Sequence, residues 1–167
     1  MSANSDIVLQ QTETDLTFTQ IHDAPKALVF LAFSKAEHLK QWWGPPGCSV
    51  VDCDVDFRTG GQWDYTIRTD SGEDHRARAV YKDIVPNEKI EFIDYFLDAN
   101  GNVIENLPSK HVTIKFDGIG NQTELTVHVQ LKSAAERQQL MDMGFLQGFS
   151  TALNQLAAYE KVIEKED

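Results

Sequence analysis

The chain is short of cysteine, of basic residues and of long apolar runs, and each shortage removes a class of function. Its two cysteines, Cys48 and Cys53, fit neither a zinc spacing nor a redox pair. On a strand, positions 48 and 53 have opposite parity, so their thiols point to opposite faces and stay unpaired. Unpaired thiols suit a reducing compartment, and the chain is expected to be cytoplasmic. The 15 Lys and Arg are scattered among 26 Asp and Glu, giving a net charge of −11. That balance argues against a nucleic-acid partner and against an anionic membrane surface. No stretch is apolar for long enough to span a bilayer, and the segment Met1 to Asp15, being polar, is expected to hold no signal peptide. The histidines, His22, His38, His75, His111 and His128, show no metal spacing of the HExxH kind. GxSxG, Walker and Rossmann patterns are also missing, so the sequence offers no catalytic constellation, no metal site and no cofactor motif.

What remains has an ordered pattern. With 167 residues, one domain can bury roughly 70% of its unfolded surface. Residues 1–14 read as a flexible or edge leader and residues 15–167 as the domain. Leu16–Ile21 is rich in β-branched and aromatic residues and predicts a strand. Pro25, with Asp23 upstream to cap it, predicts a short helix to about Phe33. Ser34-Lys-Ala-Glu37 matches a capping box and predicts a second short helix, ending at Trp42-Trp43-Gly44 before a Pro-Pro-Gly turn. Alternating strands follow: Ser49–Phe57, Gln62–Thr69, His75–Val85, Ile90–Leu97, Val112–Phe116 and Leu125–Leu131, broken at Gly60-Gly61, Asp70-Ser-Gly72 and Pro86-Asn87. A capping box at Ser133-Ala-Ala-Glu136 opens a long C-terminal helix with an apolar stripe of Phe145, Phe149, Leu153, Leu156 and Ile163.

Strands joined by short turns imply an antiparallel sheet. Its apolar face needs cover, and the last helix is the element long enough to supply it. The expected class is therefore α+β: a curved, seven-stranded antiparallel sheet around a long C-terminal helix, with two short helices after the first strand. A curved sheet gripping one helix leaves a gap at one end, which the tryptophan-bearing helices would close. Gly144, Gly148 and Ala152 recur at helical spacing and would leave a groove on the helix for a close approach.

Longer motifs carry a family resemblance. They are Asp23-Ala-Pro25 with Val29-Phe30 and Leu39-Lys-Gln-Trp-Trp-Gly-Pro46; Phe57-Arg-Thr-Gly-Gly-Gln-Trp63 with Tyr65; and Tyr81-Lys-Asp-Ile-Val-Pro-Asn-Glu-Lys-Ile90 with Phe92. From about Leu16 onward the chain resembles the SRPBCC or START-like superfamily, and within it the family named after the activator of the heat-shock protein 90 ATPase. The resemblance implies the helix-grip (Bet v-like) fold with an internal cavity. It also implies a choice among hydrophobic-ligand binding, cyclase or hydrolase activity, and partner binding, including a chaperone and stress response. The chain departs from the family pattern at Phe149, where many members have a tryptophan, and this changes the cavity's shape.

The candidate lining is Phe33, Trp43, Trp63, Tyr65, Tyr81, Phe92, Asp94, Phe96, Phe145, Phe149 and Leu153. Read blandly, these aromatics are a packed core; read functionally, they wall a ligand pocket with tyrosine hydroxyls as handles. Asp94 shares the parity of Phe92 and Phe96. It either points inward and needs a partner, or is turned outward by a bulge. His75 shares parity with Ala77 and Tyr81 and is the best cavity histidine. Cys53, between Val51 and Val55, reads as an inert small hydrophobe. Asp52, Asp54 and Asp56 lack the glycine and glutamate of a calcium loop and read as the wet face of a strand. The leading expectation is a binder of a small apolar or amphipathic molecule. An enzyme using Asp94, His75 and a tyrosine, and a partner-binding domain exposing an apolar patch near Trp42–Gly47, stand as alternatives. Trp42 is also a candidate homodimer anchor.

Overall fold

A computed structural model describes residues 6–44 and 47–166; Pro45 and Pro46 of the expected turn, and the first residues of the leader, lie outside the described residues. Eight strands form one sheet: β1 (Val8–Gln11), β2 (Asp15–His22), β3 (Ser49–Val55), β4 (Gln62–Arg68), β5 (Asp74–Val85), β6 (Lys89–Leu97), β7 (Lys110–Ile119) and β8 (Gln122–Gln130). Their order is β1-β2-β8-β7-β6-β5-β4-β3, and every pairing is antiparallel. The expected count of seven is corrected to eight by β1, which forms within the leader and pairs Val8 with Thr19 at the sheet edge. Four residues of mostly exposed strand give almost no periodic signal, which is why the sequence shows only a leader there.

The alternation in each strand sets which side chains face inward. Leu16, Phe18, Gln20 and His22 of β2 are buried, as are Thr123, Leu125, Val127 and Val129 of β8 and Lys110, Val112, Ile114 and Phe116 of β7. Ile90, Phe92 and Asp94 of β6, Ala77, Ala79 and Tyr81 of β5, and Trp63 and Tyr65 of β4 continue this concave face. Asp52, Asp54 and Asp56 are exposed. Bulges at Val50/Asp52 and Tyr81/Asp83 bend the sheet without turning its inner row outward.

Between β2 and β3, helices α1 (Lys26–Leu31) and α2 (Ala36–Trp42) cross from one side of the sheet to its far edge. Neither starts with the expected cap. The Ser34 hydroxyl donates to the Leu31 carbonyl at 2.8 Å, so it serves the preceding helix, and Lys35 occupies the N-cap of α2 without a side-chain bond. Asp23 does not cap α1 either; its carboxylate takes a bond from Lys161 at 3.2 Å. Trp42 is 1% exposed, lies edge-on to Phe33 and donates its indole N–H to the Ala32 carbonyl at 3.0 Å. It therefore presents no surface to a second copy, and its expected role as a dimer anchor is withdrawn.

The C-terminal segment is two helices rather than one: α3 (Ala134–Asp142) and α4 (Phe145–Glu166). The cap at Ser133 forms, its oxygen accepting from the Glu136 amide at 3.1 Å. The break falls at Gly144, whose φ of +83° belongs to the left-handed region that a side chain disfavours. Leu153, Leu156 and Ile163 of α4 are fully buried, each contributing about 1.5–3 kcal/mol of burial. Polar contacts fasten the same stretch of the helix: Asn154 to Gln20 at 3.0 Å, Gln155 to the Trp42 and Gly44 carbonyls at 2.8 and 2.9 Å, Tyr159 to His38 at 2.6 Å, and Glu160 to His22 at 2.8 Å. The helix is thus anchored from Leu153 onward, while its first two turns stand over the middle of the sheet. No described helix is long and apolar enough to cross a membrane.

Candidate functional site: a cavity with a buried polar cluster

The space under the first turns of α4 is a cavity of about 380 Å³, within the range of small-molecule sites. Its floor is Phe92, Val112, Ile114 and Val129 from the sheet; Phe145, Gly148, Phe149 and Ala152 of α4 form the opposite wall, and Trp43 and Tyr65 one side. Thr69, His75 and Met143 stand at the rim. Several small residues keep it open. Gly148 and Ala152 place little bulk on the helix side. Beside the cavity, Ala77 and Ala79 of β5 lie between Tyr65 on β4 and Asp94 on β6 and carry only a methyl, which lets the two longer side chains meet across them.

Across that gap lies the polar feature of the site. Asp94 and Lys110 are cross-strand partners on β6 and β7, only 4% and 8% exposed. Lys110 Nζ lies 3.2 Å from Asp94 Oδ2, and the Tyr65 hydroxyl donates to the same carboxylate at 3.1 and 3.3 Å. The remaining sides of the ammonium face aromatic rings, Phe96 at 4.9 Å and Phe145 at 5.2 Å from their centroids, positions that favour a cation. Burial, and then the adjacent Asp94 charge, pushes the Tyr65 phenol well above its ordinary value, so Tyr65 stays a proton donor.

Of the residues expected to line a pocket, Trp43, Tyr65, Phe92, Asp94, Phe96, Phe145 and Phe149 surround this cavity. Phe33, Trp63, Tyr81 and Leu153 belong to the packed core beside it. Phe33 packs on Trp42 and Phe116, Trp63 lies against Trp43 and Tyr65, and Tyr81 contacts Phe57 and Phe92. Asp94 points inward because β6 keeps an unbroken register from Ala79 through Asp94 to Lys110; the bulge falls further along β5. His75 reaches the rim but is mostly exposed and pairs with Glu73 at 2.7 Å, outside the polar cluster. Lys110 was missing from the expected set. Its signal was its parity with Val112, Ile114 and Phe116, two residues before the strand assigned from sequence. Cys48 lies at the cavity wall and Cys53 is half-buried; both thiols are free, and burial raises that of Cys53.

Tyr81 supplies a contrast with Tyr65, because its buried hydroxyl has no hydrogen-bond partner among the described residues. Tyr81→Phe keeps the ring contacts and removes the unmet hydroxyl, so stability is expected to stay level or rise by up to about 1 kcal/mol. Burial also holds the Tyr81 phenol above its ordinary value of 10. Once the pH passes 10 the unfolded chain gives up a proton that the folded chain keeps, so stability falls with further alkalinity. Urea midpoints measured across that range should fall less steeply in the variant than in the wild type.

A sheet wrapped round a terminal helix, with an apolar cavity between them, defines a helix-grip protein of the START-like kind. Residues 23–161 match the family described as Activator of Hsp90 ATPase homolog 1-like protein, and the chain belongs to that family. A solution structure from Arthrobacter aurescens superposes with a TM-score of 0.87 at 23% identity, over 94% of this chain and 92% of that one; at that identity the likeness is one of fold. The protein Ms6760 from Mycobacterium smegmatis gives 0.83 at 27% identity, over 93% and 96%. A protein from Staphylococcus epidermidis gives 0.80 at 28%, over 96% and 95%. No curated protein matches the sequence.

Proposed function

We propose that the chain binds a small hydrophobic or amphipathic molecule in the cavity between the sheet and α4. The observation that carries this reading is the hollow itself: about 380 Å³ walled by aromatic and aliphatic side chains, with a buried polar cluster that can orient a guest. Ethylnaphthalene is a suitable first probe, since Trp43 in the wall reports its arrival by fluorescence. At a probe concentration 100 times the Kd, binding stabilises the fold by about 2.7 kcal/mol, a shift visible in thermal melts. Gly148→Leu puts an isobutyl group into the hollow and replaces a helical glycine. It is expected to raise stability by about 1 kcal/mol and to abolish the probe's effect. Equal probe binding by wild type and variant would show that the hollow is not the site.

A second reading is favoured by one observation. Tyr65 and Asp94 lie within hydrogen-bond reach at the wall of an aromatic-lined cavity, an arrangement able to move a proton on a bound molecule. His75, the other group proposed for proton transfer, stands apart at the rim. The regulatory role suggested by the family description has less support. Among the described residues, the exposed large apolar side chains Val8, Val85, Val103, Ile119, Met143 and Val162 each sit on a different element or connecting segment.

A further inference from the structure

The polar cluster also limits the kind of head group a guest can carry. We infer that the cavity selects a neutral molecule with a hydrogen-bond-accepting oxygen, such as a ketone, amide or ester, seated on Lys110, in preference to a carboxylate or an amine; this rests on the cavity being the binding site. Among the described lining residues, Asp94 and Lys110 carry the permanent charges, and they are 3.2 Å apart, so their charges cancel within the wall. A carboxylate guest reaching Lys110 would come up against Asp94, and an ammonium reaching Asp94 would come up against Lys110. Either would leave a third charge buried without a counter-charge, the costly case. The whole-chain charge of −11 adds a further penalty against an anion.

Spare hydrogen-bonding capacity points the same way. The Tyr65 hydroxyl proton is committed to Asp94. Lys110 has three N–H groups and gives one to Asp94, while the others face the Phe96 and Phe145 rings. Those rings are partly exposed and belong to the cavity wall, so an oxygen arriving between them exchanges a ring contact for a charged hydrogen bond. The aromatic wall around this point gives the rest of the guest an apolar surface to lie on. The cavity volume suits a small ring system rather than a two-chain lipid.

Matched naphthalenes substituted at one ring position test the inference: the methyl ketone acetylnaphthalene, naphthoate, naphthylmethylamine and the hydrocarbon ethylnaphthalene. Titrations of tryptophan fluorescence, checked by calorimetry, should give the ketone roughly ten-fold tighter binding than the hydrocarbon, the worth of one charged hydrogen bond. Naphthoate and the amine should bind more weakly than the ketone by at least roughly ten-fold. Lys110→Met should remove the ketone's advantage. Because that variant leaves Asp94 buried alone and can unfold, the triple variant Asp94→Leu/Lys110→Met/Tyr65→Phe serves as a second test; it should bind ketone and hydrocarbon equally. A carboxylate or amine binding tightest, or a ketone no better than the hydrocarbon, overturns the inference and leaves the cavity reading standing. Failure of all four probes, the hydrocarbon included, overturns both.

Discussion

Lys110→Met is expected to lower stability by about 3–5 kcal/mol, because it leaves the carboxylate of Asp94 buried without its cation. That is a large share of the roughly 5–15 kcal/mol that holds a domain together, so urea unfolding should show a displaced midpoint or an already partly unfolded chain. The reverse is expected when the whole cluster is removed. Asp94→Leu/Lys110→Met/Tyr65→Phe replaces two buried charges and their hydroxyl by apolar groups of similar bulk, and such exchanges are often neutral or stabilising by about 1–4 kcal/mol. The triple variant should therefore be at least as stable as the wild type. The third substitution matters: without it the Tyr65 hydroxyl loses its acceptor, at a cost of about 1–3 kcal/mol. A triple variant far less stable than Lys110→Met alone would show that the cluster contributes to the fold rather than burdening it. If the triple variant is the more stable, the cluster is kept for what it does to a guest.

The same cluster shows how far the sequence could be read. Parity within Ile90–Leu97 placed Asp94 on the inner face, but the choice between inward and bulged rested on a register that no single strand contains. Only the pairing of Asp94 with Lys110 settles it, and those residues meet across a hairpin with an irregular loop between. Long alternating strands were legible because one face of each is buried, which imposes a period of two over many residues. The caps were less so. Ser34 and Glu37 have the right spacing, yet the Ser34 hydroxyl finds the Leu31 carbonyl closer to hand. The division of the C-terminal helix at Gly144 was also missed. An isolated glycine within a helical pattern is tolerated at about 1 kcal/mol, and only its observed φ distinguishes a break from a tolerated residue. Aromatic content pointed to the region of the hollow but not to which rings wall it. Trp63 and Trp43 are both inward-facing, and their difference is set by α2 and α4, which no strand pattern encodes.

The first two turns of α4 and the stretch from Leu153 onward carry different tasks, and His22→Leu should separate them. His22 on β2 and Glu160 on α4 are both 0% exposed, with His22 Nδ1 at 2.8 and 3.0 Å from the two carboxylate oxygens. The substitution leaves Glu160 in the core without its partner, and a loss of about 3–5 kcal/mol is expected. Geometry alone does not set that figure. Arg68 and Asp74 also form a two-point ion pair, at 2.8 and 3.1 Å, but in solvent; Asp74→Ala should leave the urea midpoint close to that of the wild type. Neither His22 nor Glu160 touches the cavity, so under conditions where the His22→Leu chain is still folded its affinity for acetylnaphthalene should equal that of the wild type. Lys110→Met, by contrast, should lose both stability and the ketone preference. Weakened binding in His22→Leu would mean that the fastened stretch of the helix sets the position of Phe145 and Phe149 over the hollow, and that the anchor and the site are a single mechanical unit.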